Sequence, residues 1–240
     1  MIRMKSKDFE EMYKRHLHFL AQDIEGWEEM RGDFTGCDLS KYELAGMNFA
    51  KAIMVNCDFT DADIRACNFT EADLSGARFI RTRMQSCNFE GARFIHCAFK
   101  NSPMNKSVFD TARLSYCYIY GCDMKGVSFF ETKMNNNLFE SITFNGSSFI
   151  RTKFRKSNTF CGCIMDYLTM DEIEGFETLI IDGCFFDDEY EPDSGLRALR
   201  FLCKKEYAQF RWNKIKGSVK EQVNKIGKAP EVKLLKEENK

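Results

Sequence analysis

The chain has 240 residues, 44% of them hydrophobic and 30% charged, with a formal net charge of −1, an ordinary globular composition with room for one large domain or two small ones. No apolar run approaches the roughly 20 residues of a membrane-spanning helix, and nothing near the start resembles a signal peptide, so a cytoplasmic protein without membrane association is expected. The eleven cysteines are odd in number and lie in a chain that is not small, which argues against a secreted disulfide framework.

Taken in chain order, residues 7–25 place Phe9, Met12, Tyr13, His16, Leu17, Leu20 and Ile24 at helical spacing. That predicts an amphipathic helix leading into Trp27, within a first segment of residues 1–30. His16 falls on the apolar side and reads as packed; His18 reads as solvated.

A different rhythm starts at Phe34. Every fifth residue from there to Phe154 is large and apolar, at all 25 positions. Two residues earlier in each unit, 20 of the 25 are Gly, Ala, Cys, Ser or Thr, the exceptions being Tyr42, Met47, Val127, Asn137 and Ile142. Neither a helix, with period 3.6, nor a strand, with period 2, gives a beat of five. The stretches TEADLSGARF and FEGARFIHCAF show the pattern A(D/N)LXX most plainly, and the sequence resembles the pentapeptide-repeat family. The resemblance covers residues 31–156 clearly and reaches about 186 in degraded form. It implies an all-β solenoid, a right-handed quadrilateral β-helix in which each pentapeptide is one side of a square coil. About six to seven coils are expected, with an N-terminal capping helix and a C-terminal helix. The alternation of inward large and small residues with outward polar ones agrees with strand geometry.

Reading every twentieth residue sorts side chains by face. Phe49, Phe69, Phe89, Phe109, Phe129 and Phe149 form one column; Leu44, Ile64, Met84, Met104, Met124 and Phe144 form another. Seven cysteines (Cys37, Cys57, Cys67, Cys87, Cys97, Cys117 and Cys122) take the small inward position, where Cys serves as a compact hydrophobe. Stacked side chains project side by side, so free thiols are expected even for neighbours such as Cys97 and Cys117.

After Phe154 the large residues move to Phe160, Met165 and Met170, then Ile180 and Phe185, so one residue is inserted near Ser157–Thr159. Residues 157–193 read as an irregular final coil bearing an acidic loop. Residues 194–216 predict a second amphipathic helix, opened by Ser194, with Leu199, Leu202, Tyr207 and Phe210 on its apolar side and a basic opposite side. A solenoid needs caps at both ends. The resemblance implies that this helix closes the rod and pairs two chains into a homodimer. Residues 217–240, rich in Lys and Glu, complete a 194–240 segment and read as a mobile tail.

No nucleophile elbow, phosphate-cradling loop or zincin motif occurs. Cys161-Gly162-Cys163 lacks a second ligand pair, so no metal site is expected, and Asp187-Asp188-Glu189 reads as a solvated loop. Cys203 reads as core. No cofactor and no enzyme activity are expected. What remains is the outside of the rod, where charge is segregated. Residues 31–75 carry 8 acids and 4 bases, 76–156 carry 5 and 13, 157–195 carry 11 acids and no Lys or Arg, and 196–240 carry 5 acids and 13 bases. One edge should run Asp33, Ile53, Asp73, Arg93, Arg113, Lys133, Lys153, with Arg155 and Lys156 near its end. That basic ladder is the best candidate for an anionic partner. Tyr118 and Tyr120 should point out beside Leu138, a second contact patch. The leading expectation is a non-catalytic scaffold binding a protein partner. Nucleic-acid binding through the basic ladder is the alternative. A third reading comes from a subgroup that the family resemblance brings in: a DNA mimic that binds topoisomerases. The third is weakened because residues 76–156 are net basic by 8.

Overall fold

An inward residue every five positions requires a backbone that turns a corner every five residues. In the computed structural model, which describes residues 2–3 and 6–186, the residue two places after each inward centre supplies that corner. Asn56, Asp61, Ala66 and Glu71 have φ of 58°, 60°, 57° and 58°. The left-handed region costs a non-glycine residue about 1 kcal/mol or more. Each corner N–H recovers part of that by donating to a carbonyl in the next coil: Asn56 to Ser75 (2.8 Å), Asp61 to Ile80 (2.9 Å), Ala66 to Gln85 (3.0 Å). Coils are therefore tied at the corners as well as along the sides.

The helix α1 (Ser6–Ala21) precedes the rod. In chain order the strands are β1 (Ile2–Arg3), β2 (Cys37–Asp38), β3 (Arg78–Ile80), β4 (Arg93–Ile95), β5 (Ala98–Lys100), β6 (Arg113–Ser115), β7 (Tyr118–Tyr120), β8 (Lys133–Asn135), β9 (Leu138–Glu140), β10 (Lys153–Arg155), β11 (Asn158–Cys161) and β12 (Leu179–Asp182). All pairings are parallel. A six-stranded face runs β3-β5-β7-β9-β11-β12 and a four-stranded face runs β4-β6-β8-β10. Shorter bridges at the same twenty-residue offset, such as Asp33 with Ile53 and Asn48 with Asn68, complete the coils. This is the right-handed quadrilateral β-helix expected from the resemblance. The pairing of β1 with β2, which adds the chain's start to the side of the first coil, had no signal in the five-residue beat.

The lumen is filled with buried aromatic rings. Ring centroids along the Phe49–Phe149 column are 5.4, 5.2, 4.8, 5.4 and 4.6 Å apart, all stacked. A second stack, Phe59–Phe79–Phe99, has spacings of 5.0 and 4.7 Å. Edge contacts such as Phe89–Phe94, at 5.4 Å and 71°, knit neighbouring sides together. Burying each ring contributes up to about 3 kcal/mol, and a good aromatic pair about 1 kcal/mol more. Two of the five large exceptions at the small position, Tyr42 and Met47, are only partly buried and pack on the core near α1, Tyr42 lying 5.5 Å from Phe9. Tyr13 of α1 accepts the Asn48 N–H at 2.9 Å. The helix thus covers the open first coil.

The small inward position does more than save space. Cys57, Cys67, Cys87 and Cys97 donate their thiols to the carbonyls of Phe34, Leu44, Ile64 and Leu74, twenty-three residues back, at 3.0, 3.0, 2.9 and 3.1 Å. Thr132 and Thr152 hydroxyls make the same bond to Phe109 and Phe129 at 2.7 Å. Asn137, an exception by size, makes it too, to Leu114 at 3.0 Å. All ten described cysteines are free. Burial pushes the Cys57 and Cys67 thiols up to about 12.

The frame slips twice. Arg155 pairs with Asn135, twenty residues back, but Thr159 pairs with Leu138, twenty-one back, which places the expected insertion. A second extra residue follows at the short 3-10 turn Phe176–Thr178, because Phe160 pairs with Ile181. The inward residues are therefore Ile181 and Phe186, each 2% exposed, not Ile180 and Phe185 as the single slip predicted. Gly175 stands where a large residue is due. A Cβ there would lie 1.9 Å from the Phe154 carbonyl oxygen, at a φ of 78°, so the chain rests directly on the coil beneath. The predicted helix over 194–216 with Leu199, Leu202, Tyr207 and Phe210, the tail, Cys203 and Asp187-Asp188-Glu189 lie outside the described residues.

Two outcomes follow from the packing. Ser107 accepts the Cys87 N–H (3.1 Å) and donates to the Met84 carbonyl (2.9 Å), so Ser107→Ala strands two backbone groups in the lumen and should cost about 2 kcal/mol. Thr152→Val leaves the Phe129 carbonyl still paired with the Thr132 N–H and should cost about 1 kcal/mol. Denaturant unfolding of the two variants should rank them in that order.

His16, fully buried, accepts the Gly32 N–H on Nδ1 at 3.1 Å. Burial, helped by the Arg31 charge, lowers its pKa from 6.5 to about 4. The unfolded chain then binds the proton more readily, so stability is full above about pH 6.5 and is lost as pH falls from there through 4. Thermal midpoints measured across that window should drop less for His16→Gln than for the native chain.

Candidate functional site: a basic concave face

The residue just before each inward centre points outward, and where it is Asp or Asn it also holds the turn. Asp33, Asp38, Asp58 and Asp73 accept the backbone N–H two residues on, at 3.0, 3.0, 2.9 and 3.1 Å. These carboxylates are structural Asx turns as well as surface charge.

Twenty-residue stacking puts the acidic coils directly against the basic ones. Asp58 meets Arg78 at 3.7 Å, Asp61 meets Arg81 at 2.7 Å, Asp63 meets Arg83 at 3.1 Å and Asp73 meets Arg93 at 3.9 Å. Asp63 is 1% exposed and also takes a forked contact from Arg65, which holds its carboxyl down at about 2. The exposed pairs among these contribute little individually, but together with buried Asp63 they occupy the bases nearest the acidic end.

The predicted ladder is present as a column. Bridges join Asp33 to Ile53, Ile53 to Asp73 and Asp73 to Arg93, and strand pairing continues through Arg113, Lys133 and Lys153. The ladder ends on an acid that sequence reading missed: Lys153 bridges to Glu174 and pairs with it at 3.0 Å. Glu174 is legible only once the inserted residue is counted, since it lies twenty-one residues on. With Arg93 and Lys153 engaged, Arg113, Lys133 and Arg155 are, among the described residues, without a carboxylate at ion-pair distance.

These three line a concavity of about 700 Å³ on the four-stranded face, together with Ser115, Asn135, Lys153, Lys156, Gly175 and Thr178. A neighbouring hollow of about 560 Å³ shares Lys133 and Lys153 with it and is balanced by acids, Arg151 there bridging Glu131 (3.3 Å) and Glu172 (2.9 Å).

The corner between the four- and six-stranded faces carries an aromatic column. Tyr116 stacks on His96 at 5.0 Å, and Lys156 donates to its hydroxyl at 3.0 Å and lies 5.6 Å from its ring. Past the corner, Tyr118 registers with Leu138 and Tyr120 with Glu140. Tyr118 is 40% exposed and donates to Glu140 at 3.0 Å; Tyr120 stacks on Tyr118 at 6.2 Å with Lys100 at 5.7 Å over its ring. The structure thus sets Arg113, Lys133, Lys153 and Arg155 on one face, and Tyr118, Tyr120 and Leu138 on the next.

Cys161 and Cys163 fall on opposite sides of the chain. Cys161 lies outward beside Asp182, and Cys163 is in the lumen, donating to the Phe139 carbonyl at 3.5 Å. Among the described residues no group of three or more His, Cys, Asp or Glu is placed to hold a metal ion, and no helix is long and apolar enough to cross a membrane.

Residues 30–109 match the family profile described as "Pentapeptide repeat region". This part of the chain is a pentapeptide-repeat region. Solved structures with the pentapeptide-repeat fold include HetL, involved in heterocyst differentiation regulation in Nostoc sp. strain PCC 7120, at 15% identity over 66% of this chain and 80% of that one, with a TM-score of 0.34. Rfr23 from Cyanothece 51142 matches at 14% identity over 44% of this chain and 89% of that one, TM-score 0.36. Full-length QnrB1, a plasmid-mediated fluoroquinolone resistance protein, matches at 15% over 65% and 94%, TM-score 0.22. No curated protein matches the sequence. At these values no function transfers to this chain, and its site is read from its own geometry.

The Tyr116–Lys156 contact is directly checkable. The hydrogen bond from Lys156, then its charge, lowers the Tyr116 pKa. Lys156→Met should move the Tyr116 titration to higher pH, followed by NMR of ring-labelled tyrosine, with the other tyrosines unmoved.

Proposed function

We propose that this pentapeptide-repeat rod is a non-catalytic scaffold that binds an acidic surface of a partner protein on its four-stranded face. The supporting observation is the concavity of about 700 Å³ in which Arg113, Lys133 and Arg155 stand without carboxylate partners among the described residues. Desolvating bases against a complementary acidic surface gives register and fast association.

Nucleic acid is the weaker occupant for a specific reason. Single strands are held by cationic grooves together with open aromatic faces on which bases stack. Here Tyr116 is sandwiched between His96 and Lys156, and Tyr118 and Tyr120 stack on one another. DNA mimicry is weaker still, since the outward acids of the early coils are bound up in Asx turns and in pairs with the bases above them.

The test compares the native chain with Arg113→Glu/Lys133→Glu as baits in cell extract, with bound proteins read by mass spectrometry. A protein retained by the native chain and lost by the double variant is the expected result. Equal retention by both would sink the reading. Binding of bare DNA or RNA that falls steeply with salt would favour the nucleic-acid alternative instead.

A further inference from the structure

The six-stranded face carries a charge pattern of its own. Its outward residues change character along the rod axis. The β3–β5 end is basic, with Arg78 and Lys100. The middle is apolar, with Tyr118 and Leu138 side by side. The β9–β12 end is acidic, with Glu140 and Asp182. Lys100 has, among the described residues, no carboxylate at ion-pair distance; its ammonium lies 5.7 Å from the Tyr120 ring. Parallel strands in register make this face a regular platform.

We infer that the six-stranded face is a self-complementary docking surface, on which a second copy of the chain packs antiparallel about a two-fold axis lying between β7 and β9 and parallel to the strands. Such an axis keeps a residue's place within its strand and reverses strand order. The third strand then faces the fourth, so Tyr118 meets the partner's Leu138. The second faces the fifth, so Lys100 meets the partner's Cys161, with the partner's Glu140 and Asp182 about 4.8 Å to either side along the axis. The first faces the sixth, setting Arg78 opposite the partner's Ile180 while it stays paired with its own Asp58. The parallel alternative sets Lys100 against the partner's Ala98 and Glu140 against the partner's Leu138, with no base opposite an acid. Isologous pairing of this kind is the commonest way for identical chains to associate.

The face is about 10 Å wide and 25 Å long, well under the roughly 800 Å² per partner of a standard stable interface. The dimer is accordingly weak and concentration-dependent. Its geometry has a further consequence. The four-stranded face adjoins the six-stranded one across the His96–Tyr116–Lys156 corner, and the two-fold axis leaves that corner on the same side in both copies. Two basic concavities then look the same way, which gives a bivalent surface higher avidity than either alone.

The test uses the full chain and its own Cys161. Packed sheet faces sit about 10 Å apart, too far for a direct disulfide, so a short bis-maleimide is the probe. Lys100→Cys should give a cross-linked dimer, and Lys100→Cys/Cys161→Ser should not. In sedimentation equilibrium up to about 1 mM, Lys100→Glu and Tyr118→Lys, both outward positions, should each weaken association at least tenfold while keeping the native β circular-dichroism spectrum. The inference is overturned by a native chain that stays monomeric across that range, by equal cross-linking with and without Cys161, or by association that survives both substitutions, which would place the contact elsewhere, residues 187–240 included. None of these readouts depends on the partner protein proposed above.

Discussion

Everything in this rod depends on the bond from each corner N–H to a carbonyl in the next coil. A backbone bent left-handed at Lys, Asp, Glu and Arg is expensive, and it persists because the bend aims an N–H along the rod axis. Corner and side bonds together fix the rise per coil at about 4.8 Å. They also fix which residue sits on which. Residue i lies under residue i+20 until the frame slips, so any outward chemistry is a column by construction. Arg113 under Lys133 is such a column. Two like charges about 5 Å apart repel by about 1 kcal/mol in water, a load that the coil-to-coil bonds carry without rearranging.

The lumen works by the same economy. A carbonyl at each inward centre points along the axis and must be satisfied in a buried interior. In the regular coils a Cys, Ser, Thr or Asn twenty-three places on answers it, as Cys67, Ser107, Thr132 and Asn137 do, whereas Cys122 donates instead to the Tyr120 carbonyl. A thiol, a hydroxyl and an amide are interchangeable there because each fits and each donates; alanine fits but leaves the task to the turn, as where the Ala92 N–H bonds the Phe89 carbonyl at 3.0 Å. Cys67 is therefore better described as a weak donor of the right volume than as a hydrophobe, and the rise in its pKa follows from being held in that place.

Most of the fold was legible because one backbone period controls it. The Phe49–Phe149 column, the inward cysteines and the N-terminal helix follow from counting. What was not legible has local causes. The acids Asp33, Asp58 and Asp73 read as surface charge, although one oxygen of each is spent on its own turn, because a side chain bonding two residues ahead leaves no mark in the period. The ladder Arg93–Lys153 was legible as a column, but Glu174 at its end was hidden behind the inserted residue. The second slip was masked by composition: Ile180 and Ile181 are both large and apolar, as are Phe185 and Phe186, so either member satisfies the beat and only the hydrogen-bond register chooses.

The two slips are also what make the site concave. In an unbroken solenoid the four-stranded face would continue as a flat strand above β10, with a large inward residue where Gly175 stands. The glycine instead lets the chain settle on the Phe154 carbonyl, and Gly175, with Thr178 of the turn that follows, bounds the concavity beside Lys153, Arg155 and Lys156. A flat ladder of bases is only a charged surface, open to any counterion. The same ladder bounded at one end by that turn is a concavity, and Glu174, by engaging Lys153, leaves Arg113, Lys133 and Arg155 in it without a carboxylate at ion-pair distance among the described residues. Departure from the repeat, rather than the repeat itself, turns a column of charge into a concavity.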